Sequence, residues 1–136
     1  MITSALSSPV RIAVVEDDDT LRDKVLLPIL RKNGYEVEGF ADAASLYATL
    51  GTSQPNILIL DVGLPDVSGL AVARRLREES SMRILMLTGL SEVPDHIRGL
   101  SNGADAYLSK PVPEDLLIAT VESLVRRLDA PARGAS

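Results

Sequence analysis

Five short apolar runs decide the architecture before anything else in the chain is considered. They are "RIAVVE" (11–16), "YEVEGF" (35–40), "NILILD" (56–61), "RILMLT" (83–88) and the shorter "AYLS" (106–109). Runs this rich in Val, Ile and Leu suit strands covered on both faces. Segments with helical spacing separate them. Leu21, Val25, Ile29 and Leu30 precede Asn33 and Gly34, and Leu46 and Leu50 precede Gly51. Leu70, Ala73 and Leu76 form a third set, Ile97 and Leu100 a fourth, and Leu117, Val121, Leu124, Val125 and Leu128 the clearest stripe. Strand alternating with helix in this way predicts an α/β fold, a five-stranded parallel sheet doubly wound with five helices. Pro28, inside the first helix, removes a backbone hydrogen bond and crowds the carbonyl of Lys24, which predicts a kink or a shorter helix.

At 136 residues the chain is long enough for one core and too short for two. The periodic region spans 10–129; residues 1–9, within "MITSALSSPV", read as a flexible N-terminal segment, and 130–136 as a flexible tail or the start of a linker. With Phe40, Tyr35, Tyr47 and Tyr107 as the only aromatics, the core is mostly aliphatic. A net charge of −5 argues against a nucleic-acid surface on this domain, since phosphate neutralisation needs clustered Lys and Arg. The absence of cysteine excludes disulfides and thiolate metal sites and suits a reducing compartment. The N-terminus lacks a basic, then apolar leader, and no apolar run approaches the roughly 18 residues that cross a bilayer. The expectation is a soluble, cytoplasmic protein without a membrane partner.

In a parallel α/β sheet every strand C-terminus emerges on one edge, and ligands sit in the crevice there. The first run delivers Glu16 and Asp17 to that edge, the third Asp61, the fourth Thr88, and the fifth Ser109 and Lys110. Two carboxylates about 4 Å apart repel by roughly 4 kcal/mol at an effective dielectric near 20. Lys110 cancels one charge, and a hard divalent cation suited to oxygen ligands, Mg²⁺ rather than Zn²⁺, would cancel the surplus. A cation, a lysine and a hydroxyl gathered around one aspartate suit a phosphoryl group, with Asp61 as the nucleophile that becomes an aspartyl phosphate. Asp18 and Asp19, next in the acidic run, fit the start of a helix instead, where Asp19 or Thr20 would cap free N–H groups.

"IAVVEDDDTLR", "ILILDVGLPDVSGL", "ILMLTG" and "GADAYLSKPV", in this order and spacing, resemble the receiver domain of two-component response regulators over about residues 10–128. The resemblance implies a flavodoxin-like sheet of order 2-1-3-4-5. It also implies phosphoryl transfer to Asp61 from a histidine kinase or histidine phosphotransfer protein, and a conformational switch that signals to an output domain or downstream protein. By resemblance, Asp17 is a direct Mg²⁺ (or Mn²⁺) ligand, Glu16 acts mostly through water, and the Gly63 carbonyl completes the metal shell. Thr88 and Lys110 bind phosphoryl oxygens, Tyr107 swings inward with Thr88, and Lys110–Pro111 matches a cis bond. Such a domain is not a conventional enzyme, although it catalyses its own phosphorylation and dephosphorylation.

Several positions depart from the family or carry plainer readings. The winged-helix group dimerises through a charge network that includes an arginine where this chain has Thr120 and an acid where it has Ala106, so a phosphorylation-dependent dimer of that type is not implied. Gly63 offers no side chain to position attacking water and Leu90 screens it, which implies moderately slow self-dephosphorylation. His96 and the Arg74, Arg75 and Arg77 group read as solvated helix faces, and the first helix near Arg22 and Val25 is where the family docks its kinase. A haloacid-dehalogenase-type phosphohydrolase also uses a strand-end Asp, but it needs a second acid at the position of Gly63. A phosphorylation-independent scaffold would not need the full set of Glu16, Asp17, Asp61, Thr88 and Lys110. The chain has no room for a DNA-binding domain, so it reads as a stand-alone receiver or as the receiver part of a longer protein.

Overall fold

The computed structural model of the chain describes residues 9–89 and 103–128. Five parallel strands form one sheet of order β2-β1-β3-β4-β5: β1 (Arg11–Val15), β2 (Glu36–Phe40), β3 (Ile57–Asp61), β4 (Arg83–Thr88) and β5 (Ala106–Ser109). Among the described residues three helices connect them and a fourth follows β5. Helix α1 joins a π-helical segment, Leu21–Leu26, to a regular one, Leu27–Lys32; α2 is Ala43–Leu50, α3 Gly69–Glu79 and α4 Glu114–Leu128. The helix expected around Ile97 and Leu100, together with Leu90 and His96, lies outside the described residues.

Strand alternation sends successive side chains to opposite faces, so each run builds two cores at once. Ala13, Val15, Leu58, Leu60, Ile84 and Met86 pack under α2 and α3, against Leu46, Val72, Ala73 and Leu76. Ile12, Val14, Ile57, Ile59, Leu85 and Leu87 pack under α1 and α4, against Leu26, Leu27, Leu30, Leu117, Val121 and Leu124. β3 is central and buried throughout, as its unbroken apolar run requires. β2 and β5 are the edges, so they are only partly covered, and β2 turns Glu36 and Glu38 to water. Charged side chains on an edge strand discourage pairing with other chains.

Helix α1 departs from the simple stripe. Its first segment is wound wider, with the Leu27 N–H donating to the Arg22 carbonyl five residues back. That changes the phase of the buried face: Leu26, Leu27 and Leu30 are buried, while Val25 is 39% exposed. The helix neither stops nor shortens at Pro28, which sits in the first turn of the regular segment, directly after the wide turn. It ends at Asn33 and Gly34, where Gly34 has φ of 94°.

Two carboxylates and one glycine lock the frame around the sheet ends. Asp105 accepts the Ile84 N–H at 2.8 Å and pairs with Arg77, while Arg83 Nη1 lies 3.5 Å away. Arg77 Nε also donates to the Gly103 carbonyl at 3.0 Å, so this arginine is not the solvated residue its helix position suggested. Asp66, in the β3–α3 loop, accepts the N–H groups of Ala43 and Ala44 at 3.1 and 3.0 Å and so ties that loop to the start of α2. These bonds, the Ala43 one foremost, hold its exposed carboxyl below the ordinary 3.8, outweighing a smaller loss of hydration. Ser68 caps α3 through the Leu70 N–H, and the next residue, Gly69, packs directly on the end of β3. A Cβ at Gly69 would overlap the Asp61 carbonyl oxygen and come within 2.9 Å of Asp61 C and Val62 Cα.

Gly69→Ala therefore forces α3 off the Asp61–Val62 peptide and costs about 1–3 kcal/mol, measured by urea unfolding. Asp105→Ala strands a strand N–H and two guanidinium groups and costs about 2–3 kcal/mol by the same measurement. The Asp66 carboxyl has a lowered folded-state pKa, so its stabilisation is complete above the unfolded-state value and is lost as pH falls through the folded one. The stability gap between wild type and Asp66→Ala is accordingly constant from neutral pH down to about pH 4 and closes below it, as urea midpoints across that range will show.

Candidate functional site

The sheet ladder continues past the strands and carries the polar residues into place. Glu16 N–H donates to the Phe40 carbonyl at 2.9 Å, Val62 N–H to Leu87 at 3.1 Å, and Lys110 N–H to Thr88 at 2.7 Å. Glu16 and Asp61 are therefore as fixed as the core below them, 1% and 5% exposed, and Thr88 is fully buried. Asp17 is exposed at the mouth. Carboxylate oxygens of Glu16, Asp17 and Asp61, one from each, all lie within 4.8 Å of one another. Lys110 Nζ is 2.8 Å from Glu16 Oε1 and 3.3 Å from Asp61 Oδ1. The peptide before Pro111 is cis.

Local bonds aim the individual groups. The Asp18 N–H donates to Glu16 Oε2 at 3.1 Å, and the Gly63 N–H to Asp61 Oδ1 at 3.2 Å. The Thr88 hydroxyl donates to the Gly89 carbonyl at 3.2 Å. Tyr107 stands on β5 opposite Met86, half-buried against the core under α2 and α3. Burial raises the Glu16 carboxyl above its ordinary 4.5, more than the Lys110 and Asp18 bonds lower it. Burial works against the Lys110 ammonium, but the bond to Glu16 and the charges of Asp61 and Glu16 outweigh it, and the pKa lies above 10.5.

Of the six strand-end residues singled out from the sequence, Glu16, Asp17, Asp61 and Lys110 meet in one cluster, with Thr88 and Ser109 paired beside it at the same edge. Three carboxylates and one ammonium leave two formal negative charges, the deficit that one divalent cation cancels. The donor set is all oxygen, and the exposed Asp17 leaves the cluster open to solvent, so these residues fit a hard cation of the Mg²⁺ class.

Elsewhere the sequence reading is corrected. The cap of α1 is Asp18, whose Oδ1 accepts the Leu21 N–H at 3.0 Å; Thr20 makes no side-chain cap, and Asp19 pairs with Arg22 at 2.7 Å. With Asp18 as the cap, the bond to the Leu21 N–H three residues on is the usual capping bond, and the Arg22 N–H donates to the Asp18 carbonyl at 2.9 Å, so the helix starts one residue earlier than expected. Arg22 is drawn inward, its side chain 11% exposed and Nη1 donating to the Glu16 carbonyl at 2.7 Å, so it is not displayed with Val25 on the outer face. Gly69 and Asp66 also went unread; the small residue directly after the capping Ser68 was the available signal for a close approach.

Residues 12–122 match the family model described as the response regulator receiver domain. Among curated relatives, the chain is 40% identical over 121 residues to a probable transcriptional regulator, ycf27, of Cyanophora paradoxa, covering 89% of this chain and 50% of that one. It is 37% identical over 122 residues to the DNA-binding dual master transcriptional regulator RpaA of Synechocystis, covering 88% and 50%. The chain therefore spans about half the length of the curated relatives it matches. Among solved structures, the receiver domain of the TMAO respiratory system response regulator TorR superposes with a TM-score of 0.84 at 36% identity, covering 89% of this chain and all of that one. With the strand order, the strand-end residues and the family match all in agreement, the chain belongs to the response regulator receiver domains.

Proposed function

We propose that the chain is a phosphorylation switch in which Asp61 takes a phosphoryl group from a histidine kinase or histidine phosphotransfer protein. The single observation that carries this is the placement of Asp61. It is a buried strand-end carboxylate within 3.3 Å of Lys110 and within 4.8 Å of two further carboxylates. An Asp61 oxygen attacks phosphorus, the bond from phosphorus to the donor nitrogen breaks, and the electron pair leaves with the donor imidazole. A Mg²⁺ or Mn²⁺ ion bound by Glu16, Asp17, Asp61 and the Gly63 carbonyl supplies charge neutralisation for the transferring oxygens.

The chain's own groups do the remainder. Lys110, already paired with Glu16 and Asp61, turns its ammonium to one phosphoryl oxygen, and the Thr88 hydroxyl exchanges its bond to Gly89 for another. Thr88 and Tyr107 lie on neighbouring strands, so movement of the first vacates space for the second, and the β4–β5 face is the surface that reports the change. The signal passes to an output domain or a separate partner in the cytoplasm; the curated relatives are transcriptional regulators, which favours gene control for the whole protein. Gly63 leaves no second acid for a phosphohydrolase of the haloacid-dehalogenase type.

Incubation with Mg²⁺ and a small phosphodonor such as acetyl phosphate, followed by intact mass measurement, gives one added phosphoryl group. Asp61→Asn and chelation of the cation both abolish the gain, and Lys110→Ala slows it by roughly 10²-fold. Continuous release of phosphate from esters, or no modification of the wild type, would refute the switch.

A further inference from the structure

Arg22 is one helical turn beyond the acids that end β1, and its guanidinium is occupied on every side. Nη1 donates to the Glu16 carbonyl at 2.7 Å, Nη2 to Asp19 Oδ1 at 2.7 Å and to Asp23 Oδ2 at 3.0 Å, and Nε to Asp23 Oδ1 at 2.9 Å. A fork held at three points in this way has one orientation. Its stem crosses β2 at Gly39, where an added Cβ would lie 2.9 Å from Arg22 Cδ and 3.1 Å from Leu27 Cδ1. Room for the arginine is therefore made by a glycine in a strand, a residue type that weakens strands and calls for a local reason. The gripped carbonyl belongs to the peptide joining Glu16 to Asp17, so its direction sets the plane from which the Asp17 side chain leaves the backbone.

We propose that Arg22 is a positioning residue for the divalent-cation site: by fixing the Glu16–Asp17 peptide it presents Asp17 to the cation alongside Glu16 and Asp61. This rests on the reading that those three carboxylates hold a cation. Asp17 is the exposed member of the trio and lies just past the last ladder bond of β1, so its aim depends on contacts of this kind. Asp19 and Asp23 orient the arginine from outside, which also occupies them and keeps their charge from competing for the cation. Arg22 carries a positive charge beside an acidic loop, and on charge alone its removal would strengthen cation binding. The geometry opposes that: the guanidinium is bonded to the backbone that carries the ligand, while its charge is already met by two aspartates.

The two effects have opposite signs, so Mg²⁺ titration by isothermal calorimetry at about 0.15 M salt separates them. Arg22→Met is expected to weaken Mg²⁺ binding about tenfold, equivalent to about 1.4 kcal/mol. Arg22→Lys, which keeps the charge but cannot hold three acceptors in one plane, is expected to fall close to Met. Gly39→Ala removes no charge and displaces chiefly the arginine stem, with a looser contact on Leu27, so it is expected to weaken binding in the same direction, by about threefold. Thermal unfolding without metal, followed by circular dichroism, establishes that each variant is folded, and if Arg22→Met is not, Gly39→Ala and Arg22→Lys decide. Tighter binding in Arg22→Met would show a counter-charge and overturn the proposal. Unchanged affinity with a lowered unfolding midpoint would show a purely structural arginine and overturn it equally. Wild type that binds no more Mg²⁺ than Asp17→Asn would defeat the cation reading itself, a failure distinct from a normal wild type with unaffected Arg22 variants.

Discussion

The repulsion among Glu16, Asp17 and Asp61 is the constraint around which this molecule is arranged. The sheet brings one oxygen of each within 4.8 Å of the others, two of the three in places nearly closed to water. Such a cluster opposes folding, and Lys110 offsets it only in part, because one ammonium cannot match three carboxylates. The residual charge is what makes the edge receptive to a cation and to the phosphoryl chemistry that a cation supports. A ligand that binds only the assembled cluster also stabilises the fold that assembles it, so a cation held there would link its binding to folding.

Stability is supplied away from that edge. At the opposite end of β4, Asp105 joins a strand N–H and two arginines, and on the flank Asp66 joins two elements through their backbones. Both carboxylates are satisfied by fixed donors with no chemistry to perform. The aliphatic cores on the two sheet faces complete the frame, with β3 buried along its whole length between them. The clustered carboxylates at the strand ends differ from these two in their partners: they face one another.

Strand order apart, the frame was legible because it follows from local pattern. Five apolar runs with intervening helical segments specify parallel strands, and the side-chain period of two then assigns Val14 and Val15 to opposite cores without further information. The edge residues were legible for the same reason, since each closes a run. What could not be read depends on pitch or reach. The wide turn in α1 changes which residues face inward, and a stripe drawn at constant spacing places Val25 where Leu26 and Leu27 are found. Arg22 and Arg77 are long, flexible side chains whose destinations, six and 28 residues away in sequence, only the tertiary structure selects. Asp18 took the capping role expected of Asp19 or Thr20 because the helix begins one residue earlier, and three neighbouring residues able to cap leave that start undetermined in the sequence.

The packing also decides which part of the site would yield to a new group on Asp61. Gly69 presses α3 against the Asp61 carbonyl with no space for a methyl group, Val62 N–H is bonded to β4, and Asp66 anchors the loop that follows. β3 is central, so every direction in which the Asp61 backbone could move is filled. A new group on its carboxylate is then accommodated by partners coming to it. On the β1 side the Glu16–Asp17 peptide is held by Arg22. On the other side Lys110 is only partly buried, and it follows β5, a half-covered edge strand with one strand neighbour. Resistance is lowest towards the edge strand β5, so a group added to Asp61 would be accommodated on the Lys110 side, with the β1–β3 half as the support.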